Sequence, residues 1–388
     1  MMQYSDRILN TPSSFIREIL KVTERDDVIS FAGGLPNPIS FPIEALRESI
    51  EHAISKNGSS LFQYATTEGY PPLREYIAAR YKKRFDLDFE PGNILITTGS
   101  QQALDLIGKV LVSKGDGIII EEPGYLGAIQ AFSLYEPAFL PVTLEEDGLD
   151  LEELESALQH KKVKLVYTVP NFQNPTGRTY SLERRDAICE MLSRYEVALI
   201  EDDPYGELRF QGESLPYIGA GRLENSILFG TFSKTVSPGM RLGFVITRNH
   251  QLMKHLVTAK QGTDLHTNIF AQYVIHEYLM HNAYEGHIKT IIDLYKKQAD
   301  AMIAAMKTYF PPHVSYTEPA GGMFIWATLQ NGQSALELFP RAMEKKVAFV
   351  PGDPFYTSKS NVNAMRLNYT NATPEVIQEG IKRLGSIM

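Results

Sequence analysis

SILFGTFSKTVSPGMR, residues 226–241, opens on an apolar run, Ser226 to Gly230, and closes in a Pro238-Gly239 turn followed by Arg241. An apolar run of that length bounded by turn residues reads as a buried strand. Thr231, Ser233 and Lys234 then stand at its carboxyl end. Four similar runs precede it: Ile94 to Thr98 (ILITT), Gly117 to Ile120 (GIII), Leu165 to Val169 (LVYTV) and Val197 to Ile200 (VALI). Between them, QQALDLIGKVL, LEELESALQ and ERRDAICEMLSRY place apolar residues at i, i+3, i+4 spacing, which is helical. Strands alternating with helices fit βαβ crossovers and predict an α/β fold, a mainly parallel sheet sandwiched by helices.

The texture changes toward the C-terminus. A helical stretch near Tyr278 to Tyr309 is followed by Pro311-Pro312, by two-residue alternation in GGMFIWATL, by a second apolar run, VAFVPG, and by a final helix from Pro374 to Leu384. These predict a smaller α+β unit. The first 45 residues, with AGGLPNPISFP, read as an arm. The expected division is residues 1–45 as an arm and part of a small domain, 46–280 as a large ligand-binding domain and 281–388 as a small C-terminal domain.

Composition bounds the function. The 388 residues predict two or three folding units, and 43% hydrophobic with 22% charged residues is the composition of a globular chain. Lys and Arg total 38 against 46 Asp and Glu, a net charge of −8, which argues against non-specific binding to nucleic acid or anionic membranes. Cys189 is the only cysteine, so an intramolecular disulfide and a four-cysteine zinc site are excluded, and its flank AICEML reads as buried helix. No secretory signal and no run of ~20 apolar residues is present, and the expected compartment is the cytoplasm.

In an open parallel sheet, ligands bind beyond the carboxyl ends of the strands. Here those ends are polar: Gly99-Ser100-Gln101, then Glu121-Glu122-Pro123-Gly124-Tyr125, PNFQNPTG, EDDPY and TFSKTVSPGMR. A helix starting at Ser100 offers free N–H groups to an anion, although Ser100 also reads as a simple N-cap. Thr231, Ser233 and Arg241 add hydroxyls and a permanent charge suited to phosphate. Lys234, held in a turn beside a cation, has the setting that lowers an amine pKa and allows Schiff-base chemistry. Asp202 would serve a ring nitrogen, Asn174 and Tyr205 a ring oxygen, and Tyr125 a ring face; each also reads as a turn or core residue.

Competing motifs fail. His276 and His281 in HEYLMH are five apart and miss the i, i+4 spacing of zinc ligands on one helix face. GAGRLE lacks the third glycine and the preceding strand of a dinucleotide fingerprint, and no phosphate loop or nucleophile elbow occurs.

With these residues assembled, the chain resembles the fold-type I pyridoxal-phosphate aminotransferases, specifically the 2-aminoadipate/kynurenine aminotransferase group. The matching strings run in order from SSFIREILK and SFAGGLPNP through QYATTEGYPPLREY, TTGSQQALDL, NFQNPTG, EDDPYGEL and GTFSKTVSPGMRLG to GGMFIW, VAFVPG and AMRLNY. The resemblance implies pyridoxal 5'-phosphate as cofactor, with Lys234 as the lysine that bonds it and moves the substrate proton. It implies Asp202 as the ring-nitrogen partner, Asn174 and Tyr205 on the ring oxygen, Tyr125 on the ring face, and Ser100, the Gln101 amide, Thr231 and Arg241 as the phosphate cup. Tyr64 corresponds to a tyrosine contributed across a homodimer interface, and Arg366 to the clamp of the substrate α-carboxylate.

Ser14, Arg17, Gly34 and Leu35 match positions that close over the substrate. Arg17, readable also as a solvated helix residue, would meet a side-chain carboxylate and so favour acidic substrates. Thr231 stands where serine is frequent, which leaves a hydroxyl for phosphate, and Phe31 ahead of the glycines is a second departure.

The leading expectation is a transaminase acting on an L-amino acid, with 2-aminoadipate favoured and glutamate, aromatic and branched-chain amino acids as others, and on a 2-oxo acid such as 2-oxoglutarate. The alternatives are β-elimination or decarboxylation on the same scaffold, and a ligand-sensing module of the kind fused to winged helices. The early start of the domain and the −8 charge argue against the sensor. No metal is expected.

Overall fold

The computed structural model describes residues 2–11, 27–160 and 162–388. Its strands are, in chain order, β1 (Ile29–Ser30), β2 (Ile94–Thr97), β3 (Gly117–Glu122), β4 (Ala138–Glu145), β5 (Gly148–Leu149), β6 (Val163–Thr168), β7 (Ala198–Asp202), β8 (Ser226–Thr231), β9 (Gly243–Ile246), β10 (Val314–Tyr316), β11 (Phe324–Leu329), β12 (Val347–Ala348), β13 (Val350–Pro351) and β14 (Ala364–Asn368).

Eight strands form one sheet in the order β2-β9-β8-β7-β6-β3-β4-β5. From β8 through β7, β6 and β3 to β4 every pairing is parallel. At one edge β9 runs antiparallel between β2 and β8, and at the other β5 folds back on β4. All five expected strands are present. β9, the run GFVI after Arg241, is a strand that the reading of apolar runs did not include.

The middle strands are covered on both faces, which is why they read as continuous apolar runs rather than alternating ones. Alternation survives in the packing: Ile227 and Phe229 enter one core cluster while Leu228 between them enters another. The Phe244 ring of β9 lies over Gly230 of β8, where a Cβ would come 2.2 Å from it, so a larger residue there would force the ring aside.

The helices Ser100–Leu111, Leu126–Ser133 and His250–Gln261 pack together near the sheet, and the helix Ile43–Asn57 lies along Ile269–His281. Cys189 is buried in the helix Leu182–Leu192, as its apolar flank predicts.

A four-stranded sheet, β10-β11-β14-β13, is antiparallel throughout, and β1 pairs with β12 in parallel. The run VAFVPG is therefore divided between two sheets. The helical stretch expected at 278–309 is two helices, Ile269–His281 and Tyr284–Tyr309, because Asn282 is extended (φ −118°, ψ 154°) and ends the first. The second packs along the final helix, Pro374–Gly385.

Chain segments far apart in sequence meet beside β14. The Phe31 N–H donates to the Ala348 carbonyl at 2.8 Å, and the Asn368 N–H donates to the Phe31 carbonyl at 2.8 Å. Residues 29–35 thus run beside the strand that carries Arg366. No helix among the described residues is long and apolar enough to cross a membrane.

Candidate active site

The carboxyl ends of β3, β6, β7 and β8 open into a cavity of about 810 Å³. Ser100, Gln101, Tyr125, Asn174, Asp202, Tyr205, Thr231, Lys234, Arg241, Arg366 and Gly34 all line it. Leu35 lies just outside and is 54% exposed, its carbonyl accepting from the Thr370 hydroxyl at 3.0 Å. Tyr64 stands away from the cavity, 79% exposed, with its ring edge-on to His266. Ser14 and Arg17 fall outside the described residues.

One end of the cavity is built for an anion. The helix Ser100–Leu111 begins after Gly99, whose φ of 74° is open to glycine at no cost. A Cβ there would also stand 2.7 Å from Nη2 of Arg241, which shows how closely the guanidinium lies against the helix start. Arg241 is held by donating to the carbonyls of Thr98 (3.3 Å) and Pro238 (3.2 Å). The Ser100 hydroxyl is buried without a partner. Thr231 and Ser233 stand with their hydroxyl oxygens 3.0 Å apart. The N–H groups of a helix start, a permanent cation and the unpartnered Ser100 hydroxyl line this end together, beside the Thr231 and Ser233 hydroxyls.

Asp202, the last residue of β7, lies deeper. The Tyr167 hydroxyl donates to its Oδ2 at 2.7 Å, while Oδ1 is buried with no partner. Burial raises its pKa to about 7; the Tyr167 hydrogen bond opposes that rise, and the nearby carboxylates Asp203 and Glu121 reinforce it. A buried acceptor of this kind calls for a cationic N–H donor.

Asn174 links two groups. Its Oδ1 accepts from Nη1 of Arg366 at 2.9 Å, which turns its Nδ2 toward the Tyr205 hydroxyl at 3.3 Å. Arg366 comes from β14, donates from Nη2 to the Ala32 carbonyl at 2.8 Å, and lies 4.4 Å over the Phe324 ring. Burial lowers its pKa to about 10, and its Nε has no partner, so part of the fork is left for an incoming carboxylate.

Lys234 donates from Nζ to the Gly34 carbonyl at 2.9 Å. Burial, then the charges of Arg366 and Arg241, lower its pKa to about 8, so a substantial neutral fraction exists near physiological pH. Tyr125 is half-buried at the wall, its pKa raised by burial to about 12.

Several groups that hold the site escaped the sequence reading. Tyr167 anchors Asp202, and its only signal is a tyrosine inside an apolar run. Glu121 accepts from the Val169 N–H (2.8 Å), the Gln173 side chain (2.9 Å) and the Tyr180 hydroxyl (2.7 Å), so it fastens the segment that carries Asn174. Phe324 and Phe355, which flank Arg366, carry no local signal in the sequence.

The profile described as "Aminotransferase class I and II" matches residues 30–384. The chain belongs to that family. Within it, the aromatic-amino-acid aminotransferase 1 of Thermococcus litoralis is 43% identical over 387 residues, 98% of this chain and 93% of the relative. The 2-aminoadipate transaminase of Thermus thermophilus is 42% identical over 377 residues, 96% and 93% of the two chains. Among solved structures, the kynurenine aminotransferase of Pyrococcus horikoshii, in complex with PMP, superposes with a TM-score of 0.95 at 43% identity, covering 99% of this aminotransferase chain and 96% of that one.

Proposed function

We propose that this chain is a pyridoxal-5'-phosphate-dependent aminotransferase that moves the amino group of an L-amino acid to a 2-oxo acid, with 2-aminoadipate as favoured donor and 2-oxoglutarate as acceptor. The observation that carries this reading is the pairing, in one cavity, of a buried carboxylate with an unpartnered oxygen, Asp202, and a lysine whose pKa is lowered to about 8, Lys234. The relatives named for 2-aminoadipate and for aromatic amino acids support the substrate class.

When bound, the cofactor supplies a protonated ring that takes up the electrons of the substrate Cα bond. In this reading Ser100, the Gln101 N–H, Thr231 and Arg241 hold its phosphate, and Asp202 keeps the ring nitrogen protonated. Asn174 and Tyr205 donate to the ring oxygen, and Tyr125 covers a ring face. Lys234 would take the proton from the substrate α-carbon and deliver it to the carbon on the far side of the amino nitrogen. Its lowered pKa suits both directions near neutral pH. Arg366 clamps the α-carboxylate and Gly34 and Leu35 stand toward the side chain, where the family resemblance would add Ser14 and Arg17. The exposure of Tyr64 fits a role in a second copy of the chain, completing that copy's site in a homodimer.

Mixing the purified holoenzyme with 2-aminoadipate or glutamate should convert the cofactor's absorbance from the aldehyde to the amine form, and 2-oxoglutarate should reverse it. Lys234→Ala should lower turnover by roughly 10²–10⁴-fold. No conversion with any amino donor, or keto products of elimination in place of exchange, would refute the reading.

A further inference from the structure

A second group of donor atoms stands where the helix Ile43–Asn57 lies along the helix Ile269–His281. Glu277 and His281 are one turn apart on the same face, and Nε2 of His281 is 3.1 Å from Oε2 of Glu277. His52 comes from the neighbouring helix and meets the His281 ring edge-on, with centroids 5.3 Å apart. One donor atom from each of the three lies within 4.8 Å of the other two. The spacing of His276 and His281 offers no such arrangement along the chain; the structure replaces His276 by its neighbour Glu277 and supplies the second imidazole from another helix.

We propose that His52, Glu277 and His281 bind a divalent first-row transition-metal ion, with Zn²⁺ the natural occupant and water completing its shell. Two imidazoles and one carboxylate are the donor set that holds zinc with a position left open, whereas Ca²⁺ and Mg²⁺ require more oxygen ligands. Bonds of ~2.0–2.1 Å to a tetrahedral ion put donor atoms roughly 3.3 Å apart. The His281–Glu277 pair already has that spacing, and His52, which is exposed, closes the remainder by rotating its side chain.

The carboxylate is the fixed member of the set, since Glu277 is 1% exposed while both imidazoles reach water. Lys56 occupies its other oxygen, Oε1, at 2.9 Å and leaves Oε2 toward His281. An ion here would tie together two helices, one of which leads directly into the segment that presents Tyr64.

The site is independent of the cofactor cavity, so its test does not depend on the aminotransferase reading. Zn²⁺ titrated calorimetrically into the holoenzyme should show one saturable ion per chain that the double variant His52→Ala/His281→Ala lacks. Each single histidine variant and Glu277→Gln should bind at least ~10-fold more weakly. Zn²⁺ should raise the thermal midpoint of the wild type and leave that of the double variant unmoved, with transamination unchanged in the histidine variants. Anomalous scattering at the zinc edge should place the ion among the three side chains. Equal Zn²⁺ binding by wild type and double variant, or no saturable binding by the wild type, overturns the proposal.

Discussion

The floor of the cavity and its roof are built differently. On the floor, Asp202 ends a buried parallel strand and Asn174 follows another, and each is gripped by a side chain that is itself buried, Tyr167 for the one and Arg366 for the other. The roof contribution from residues 29–35 is anchored by the buried Phe31 and Ala32 side chains, but its tip meets the floor through backbone: the Gly34 carbonyl accepts from Lys234 and the Leu35 carbonyl from Thr370, while the Leu35 side chain stays in solvent. Side-chain networks in a low-dielectric interior fix geometry strongly, whereas backbone contacts leave side chains free to vary. On the proposed reaction, this difference would give the parts common to all substrates to the floor and the choice among substrates to the roof.

The largest break in this comparison is at Asp202. Asp202→Asn should cut turnover by roughly 10²–10³-fold, since a neutral amide cannot hold a positive charge on the ring nitrogen. Stability should move the other way. The folded pKa of Asp202, raised to about 7, lies above its unfolded value of ~3.9. Its contribution to stability is therefore fully present below pH ~4 and is lost as pH rises through about 7. Asparagine keeps an acceptor for Tyr167 and never ionises. The cofactor-free variant should thus unfold at a higher temperature than cofactor-free wild type at pH 8, with the gap closing toward pH 4. A variant that is less stable at pH 8 would show that Asp202 is not held against its own ionisation.

Arg366→Gln should have a smaller effect of another kind. A charge-assisted hydrogen bond is worth about 1.5–3 kcal/mol, so KM for both the amino acid and the oxo acid should rise by roughly 10–100-fold. Because every substrate carries the α-carboxylate, the rise should be similar for 2-aminoadipate, leucine and phenylalanine. A selective rise would move Arg366 from the common machinery to the specificity layer.

The floor was the more legible part, for a physical reason. Buried parallel strands are short apolar runs, and their polar termini follow directly in sequence, so Lys234, Asp202 and Ser100 could be read locally. Arg366 lies in a different sheet and meets Asn174 across 192 residues, so no local pattern joins them and only the family strings pointed to it. Tyr167 acts by tertiary packing and looks like an ordinary member of an apolar strand, and Glu121, though it stands among the polar strand ends, gives no sign in the sequence that it fastens the segment before Asn174. β9 was missed because it returns antiparallel to β8 through a turn with no α-helix between them, outside the strand–helix alternation, and the helix break at Asn282 because apolar periodicity continues on both sides of it. The His52–Glu277–His281 group shows the same limit, since helix packing rather than spacing brings its third member in.

The roof should respond least and most selectively. Arg17 belongs to the string SSFIREILK, which precedes the AGGLPNP segment, and Gly34 of that segment lines the cavity. Among the described lining residues the cations are Lys234, Arg241 and Arg366, and the proposed reaction employs all three on groups common to every substrate. A second carboxylate, the one at the end of 2-aminoadipate, therefore needs a cation from elsewhere. Arg17→Ala should raise KM for 2-aminoadipate by about 10-fold, the worth of one charged hydrogen bond, and leave KM for leucine and phenylalanine within about twofold. The turnover number should hold for all three, because the α-carbon, its carboxylate and Lys234 are untouched. An equal rise for charged and apolar donors would mean that Arg17 merely supports the arm, and that the roof selects by shape and not by charge.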